Sequence, residues 1–220
     1  MAILSMPNTN IKSVRFLLQG NSLELTSPLT RSVQTLELVG SRWLATYELP
    51  PMPRATAEVW IAFLTKLNGM SGRFYGGDPA GYTPQGPATG TPVIPAAGLT
   101  GIDLPVEGFS VASPLAVGDY VAWDTPSGWR ELHKVITVSA GLGVGYGEGG
   151  YGEGGYGSGV GLTIAPPIRE SPAAGATLIV NSATCVMRLA TDDVEWSTDF
   201  ASLYGIVFSA EESFYTVGAI

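Results

Sequence analysis

The alternation of apolar and polar positions predicts short β-strands over most of the chain. In residues 11–20, Val14, Phe16 and Leu18 alternate with Arg15, Leu17 and Gln19, and residues 22–26 keep the same period of two. That spacing places alternate side chains on one face of a strand. Residues 33–39 set Val33, Thr35, Glu37 and Val39 against Gln34, Leu36 and Leu38, and Gly40-Ser41 then leads into residues 43–49. These last two strands are expected to pair as a hairpin.

The period changes after Pro50, Pro51 and Pro53. Residues 54–68 carry Ala57, Trp60, Ile61, Leu64 and Leu67 at spacings of three and four, which predicts an amphipathic helix with Pro53 near its start and Asn68-Gly69 as its stop. An isolated helix of this length is marginal in water, so its apolar stripe is expected to lie on a sheet. A short strand with Phe74 and Tyr75 follows. Residues 77–100 are dense in Gly, Pro, Thr and Ala, with turn signals at Asp78-Pro79, Gly81 and Thr83-Pro84, and read as an extended connection between structural units.

Beyond it, residues 109–111, 120–124, 130–139, 161–165 and 177–181 are strand candidates, with Gly118-Asp119 and Ser127-Gly128 as hairpin tips. They predict a small meander or barrel. Residues 145–157 repeat Gly-Tyr-Gly-Glu-Gly nearly three times. Glycine at that density loses heavily in backbone entropy on ordering, so a Gly/Tyr-rich loop over residues 141–161 is expected to be weakly ordered. Strand patterns resume at residues 185–190 and 202–209, where Tyr204, Ile206 and Phe208 alternate, and residues 214–220 are largely apolar. The expected fold is mainly β. Residues 1–76 and 184–220 form a β-sandwich with one packed α-helix, and residues 101–183 form an inserted small β-barrel or β-sandwich.

Composition narrows the function. An apolar fraction of 45% with 10% aromatics belongs to a folded globule; the charged fraction of 14% lies well under the roughly 25% usual for soluble domains. A surface so poor in charge is suited to being covered by neighbours. The net charge is -8 and no run of Lys or Arg occurs, so neither nucleic acid nor an anionic membrane is an expected partner. Cys185, the single cysteine, reads as a buried thiol. No basic segment followed by an apolar run opens the sequence, and no apolar window approaches the ~18 residues of a membrane span. A soluble protein made in the cytosol, without membrane insertion, is expected.

Reactive constellations are sparse. His133 is the only histidine, so any Ser-His-Asp or Cys-His nucleophile would need it, and a two-histidine metal site is impossible within one chain. Asp119, Asp124 and Glu131 cluster in sequence, and Asp192-Asp193 forms a pair; aspartates there commonly stabilise turns. Gly141, Gly143 and Gly145 lack the Lys and Ser/Thr of a phosphate loop. No catalytic residue, cofactor or metal is expected. Trp43, Trp60 and Trp196 read as core packing, whereas Trp123 and Trp129 flank a turn, and with Tyr146, Tyr151 and Tyr156 they are candidates for stacking on a partner or a glycan.

Several segments are similar to those of small tail proteins of long-tailed, non-contractile bacteriophages. They are residues 60–86, with Gly-Arg-Phe-Tyr-Gly-Gly-Asp-Pro and Thr-Pro-Gln-Gly, then Gly-Asp-Tyr-Val at 118–121, Arg-Glu-Leu-His-Lys-Val at 130–135, Ile-Ala-Pro-Pro at 164–167, Ser-Pro-Ala at 171–173 and Met-Arg-Leu-Ala at 187–190. Together they resemble the distal tail family. The resemblance implies a structural virion protein of the tail tip, assembled in the host cytoplasm. It forms a homohexameric ring between the tail tube protein and the tail hub or baseplate, with residues 1–76 and 184–220 in the ring and residues 101–181 projecting. The Gly/Tyr repeat departs from the family pattern. A carbohydrate- or receptor-binding module of a phage tail, recognising a host surface glycan, is the alternative reading, and a hydrolase working through His133 or an aspartate is a third.

Overall fold

The computed structural model describes residues 2–7, 11–38, 40–111, 113–140, 159–199 and 202–214. The chain divides into two compact units, Met1–Tyr75 with Met187–Ser213, and Gly76–Val186 with Phe214–Ile220. In chain order the first stretch contributes β1 (Leu4–Ser5), β2 (Ser13–Gln19), β3 (Ser22–Thr26), β4 (Val33–Glu37), β5 (Arg42–Glu48), β6 (Met52–Pro53), helix α1 (Arg54–Leu67) and β7 (Phe74–Gly76). There follow β8 (Gly90–Ile94), β9 (Gly101–Phe109), β10 (Tyr120–Asp124), β11 (Arg130–Ala140), β12 (Val160–Ile168) and β13 (Ala176–Thr177). The chain then returns through β14 (Cys185–Leu189), β15 (Trp196–Thr198) and β16 (Leu203–Glu212). This is the mainly β fold, with one packed helix and a second barrel-like unit, that the patterning predicts.

In the first unit the sheet runs β1-β7-β14-β16-β5-β2. Strand β16 is long enough to serve two partnerships. Its second half pairs with β5, from Val207↔Glu48 to Glu211↔Leu44, and its first half pairs with β15 and β6. One face of β5, with Trp43, Ala45 and Tyr47, is buried. Helix α1 buries Ala57, Trp60, Phe63, Leu64 and Leu67. Trp60 lies 6.0 Å from Phe208, Tyr47 stacks on Phe208 at 5.1 Å, and Phe63 meets Phe74 edge-on at 5.6 Å. Phe63 takes the place expected for Ile61, which is only partly buried.

The helix ends as predicted. Asn68 adopts the left-handed conformation (φ 52°) and donates its N–H to Thr65 O, a position that asparagine tolerates better than most residues. Asp192 Oδ1 accepts the N–H of Met70 at 2.9 Å in the turn that follows. Gly72 is required by close approach, because a Cβ there would sit 2.2 Å from Leu67 O.

The expected pairing of β4 with β5 is not observed. Strand β4 pairs with β3, from Ser22↔Glu37 to Thr26↔Val33, while β5 pairs with β2, from Ser13↔Glu48 to Gln19↔Arg42. Gly40-Ser41 therefore marks where one ribbon strand passes from β4 into β5, and the reversal lies instead at residues 27–32, where Ser27 N–H bonds Ser32 O. The physical reason is core demand. Trp43 and Phe16, stacked at 4.9 Å, and buried Tyr47 hold β2 and β5 in the sheet, and β3 and β4 have no comparable ring to bury.

In the second unit a sheet runs β10-β11-β12-β9-β8-β13. Just past β13, Ile179 bridges back to Ala122 of β10, with N–H to O distances of 2.9 and 2.7 Å, and nearly closes the sheet into a barrel-like form. Ile94, Leu104, Val106, Trp123, Val135, Leu162, Ile164 and Leu178 fill its core. Strand β8 lies inside the stretch expected to be a connection, and β9 begins eight residues before the candidate at 109–111. Gly101, Pro105 and Gly108 mask the alternation of Leu104, Val106 and Phe109, all of which are buried. The turn-rich residues 77–86 are held by Asp119, whose buried carboxylate accepts the N–H groups of Gln85 (2.7 Å), Gly86 (3.2 Å) and Ala116 (2.8 Å).

Trp60 anchors the helix to its sheet. Trp60→Ala is expected to lower the unfolding free energy by about 3–5 kcal/mol, the usual cost of emptying a buried aromatic site, measured by urea denaturation; a loss under about 1 kcal/mol contradicts that packing.

Candidate functional site

The first candidate is the ribbon β3–β4. Every residue of both strands is exposed. In an antiparallel pair, residues directly opposite share a face. Leu23↔Leu36 and Leu25↔Gln34 lie on one face, and Ser22↔Glu37, Glu24↔Thr35 and Thr26↔Val33 on the other. Leu38, two residues beyond Leu36, extends the leucine face, and its N–H bonds Asn21 O at 2.8 Å. The result is an amphipathic arm with Leu25 54% and Leu36 51% exposed, and Leu29 93% exposed in its turn. Arg31 stands exposed in that turn with φ 55°.

The opposite end of the same ribbon borders a cleft. Lys12 and Glu48, at the start of β2 and the end of β5, line it together with Leu49, Pro51, Trp196, Ile206 and Val207, around a volume of ≈ 290 Å³. Trp196 is 45% and Val207 57% exposed. A second cleft of ≈ 300 Å³ shares Val207 and Glu195 and adds Asp193. Asp193 and Glu195 are exposed and, like Arg31, make no ion pair among the described residues.

The second candidate is a buried polar cluster in the barrel unit. On β11, Glu131 stands opposite Trp123 and His133 opposite Val121, which turns both polar side chains toward the apolar core. His133 is 0% exposed. Its Nδ1 donates to Pro166 O at 2.7 Å, because a carbonyl only accepts, and its Nε2 lies 3.1 Å from Glu131 Oε2. Its ring stacks on Trp123 at 4.3 Å. Burial pushes the imidazole below its ordinary range, against the opposing pull of the hydrogen bonds to Glu131 and Pro166, and the Arg169 guanidinium adds to the effect of burial. Glu131 also accepts the N–H groups of Arg169 (3.2 Å) and Glu170 (2.8 Å).

Glu170 continues this network outward. Its carboxylate accepts Ser127 Oγ at 2.7 Å, Ser127 N–H at 3.0 Å and Trp129 Nε1. Burial acts to raise its pKa, but the hydrogen bonds from Ser127 and Trp129 act against burial, and the carboxyl is held below its usual range. Phe214 packs edge-on against Trp129 at 5.7 Å and lies under the Arg169 guanidinium at 4.2 Å. The arrangement braces the 125–129 turn and the 166–170 segment against β11. It leaves both nitrogens of the imidazole engaged and out of contact with solvent.

Of the stacking residues proposed from sequence, Trp123 is corrected by the structure. It is fully buried, with its ring against His133, so no face is open to a sugar. Trp129 is partly buried and tied to Glu170. Tyr146, Tyr151 and Tyr156 lie outside the described residues. Sequence reading missed the arm. The period of two in residues 22–26 and 33–37 signalled an amphipathic ribbon, but the pattern alone does not tell whether the same chain covers its apolar face. Among the described residues no group of His, Cys, Asp and Glu is arranged to hold a metal ion, and no helix is long and apolar enough to cross a membrane.

Glu131→Ala leaves the backbone N–H groups of Arg169 and Glu170 without their acceptor and is expected to cost about 2–4 kcal/mol of stability, read from chemical denaturation. Glu131→Gln, which keeps a carbonyl acceptor, is expected to cost less; equal and negligible losses would remove the bracing role. No protein-family model matches the sequence, and no curated protein matches it.

Proposed function

We propose that the chain is a structural virion protein of a phage tail tip, which builds with copies of itself a ring joining the tail tube to the tip or baseplate. The observation that carries this reading is the arm β3–β4, on whose leucine face Leu23, Leu25, Leu36 and Leu38 remain 46%, 54%, 51% and 41% exposed among the described residues. A two-stranded ribbon is marginal in water by itself. Burying a leucine fully is worth about 1.5–3 kcal/mol, so covering Leu23, Leu25, Leu36 and Leu38 supplies several kcal/mol toward the cost of association. That cost is about 4–15 kcal/mol, and one arm meets only part of it; a closed ring, in which each subunit makes two such contacts, gains more per subunit.

The sparsely charged surface and the segments similar to distal tail proteins point the same way. On this reading the partners are other copies of the chain, the tail tube protein and the tail hub, and the place of action is the phage tail. The carbohydrate-binding alternative loses one of its platforms with the burial of Trp123, and a hydrolase working through His133, rather than through an aspartate, would need an imidazole that solvent does not reach.

Native mass spectrometry of the purified chain over a range of micromolar concentrations is expected to give a closed oligomer, six chains by the family resemblance. A strictly monomeric protein that binds on glycan arrays would overturn the proposal in favour of the binding module.

A further inference from the structure

We infer that the arm of one copy lies in the cleft at the far end of the ribbon of a second copy. The leucine face meets the exposed Pro51, Trp196 and Val207, and Arg31 is set against Glu195 and Asp193. This rests on the assembly reading and specifies the surfaces that assembly uses.

Topology makes the occupant a second copy. The ribbon has its cleft beside Ser13↔Glu48 and its arm beyond Gln19↔Arg42. The arm follows β2 and precedes β5 at their Gln19↔Arg42 end, whereas the cleft borders their Ser13↔Glu48 end, with the seven residues of β2, about 20 Å at about 3.3 Å per residue, between. An arm directed away from its own cleft reaches the equivalent cleft only on another molecule. The contact is heterologous, with a different surface on each side, and repetition of such a contact closes a ring when the rotation permits.

Chemistry matches the two ends. The arm offers flexible leucines on a flat face. The cleft offers an exposed indole and Val207 between them, with room for side chains in ≈ 290 Å³. The exposed charge in the arm's turn is Arg31, and the exposed charges at the cleft rim without an ion pair among the described residues are Asp193 and Glu195. The opposite face of the arm carries Glu24 and Glu37, which disfavours seating that face against the acidic rim and so selects the leucine face.

Engineered cysteines test the pairing, because Cys185 is buried and the only native thiol. Leu36→Cys and Val207→Cys replace exposed side chains, and unchanged urea midpoints establish that both variants fold. Under mild oxidation the double variant is expected to form disulfide-linked multimers, and an equimolar mixture of the two single variants to form linked dimers. Arg31→Glu is expected to raise the concentration needed for half-assembly several-fold, and adding Glu195→Arg to restore it. If the unmodified chain assembles but neither the bridges nor the charge rescue appears, the arm-in-cleft pairing is wrong while the assembly reading stands. If the unmodified chain stays monomeric at every concentration, the assembly reading fails and this pairing with it.

Discussion

A β-ribbon with one face of leucine and no sheet beneath it is the constraint from which the account of this protein follows. Water penalises the exposed leucines, and two strands alone do not gain enough elsewhere to offset that penalty. Residues 13–19 and 42–48 escape it by joining the large sheet, where Phe16, Trp43 and Tyr47 are packed. Residues 22–26 and 33–37 continue the same ribbon without that support. On the proposed reading a second copy of the chain covers that face.

The second unit solves a different problem, which is how to order a chain rich in glycine and proline. Two buried carboxylates act as pins. Asp119 gathers three backbone N–H groups from residues 85, 86 and 116, and Glu131 gathers two from residues 169 and 170 and lies 3.1 Å from the imidazole of His133. A carboxylate that accepts several backbone donors fixes irregular segments that cannot make ladder hydrogen bonds of their own. The sole histidine thereby has a structural place, stacked on Trp123, bonded through Nδ1 to Pro166 O and with Nε2 beside Glu131.

Much of the fold was legible because hydrophobic periodicity is local. Helix α1, its asparagine stop, the hairpin around Ser127-Gly128 and the closing strand at Tyr204, Ile206 and Phe208 follow from spacing and turn chemistry alone. What was not legible depended on tertiary partners. The pairing of β4 turned on which strands had aromatic rings to bury, a choice between two ladders that the local signal at Gly40-Ser41 does not distinguish. Strand β8 was concealed because its order comes from β9 and β13, and β9 because Pro105 and two glycines interrupt its alternation. Trp123 looked like a surface platform beside a turn, yet its position on β10 directs the ring into the barrel core. The arm was misjudged in the reverse sense, since a period of two announces a face to be covered and says nothing of whose residues cover it.

The measurement that bears most directly on this account is hydrogen–deuterium exchange of the amides in residues 22–37, followed as protein concentration is raised. The account predicts fast exchange in dilute solution and protection that grows with concentration in step with protection around Trp196 and Val207, while the amides of helix α1 stay protected throughout. Exchange in the arm that is slow in dilute solution, or that is fast and indifferent to concentration, would contradict it.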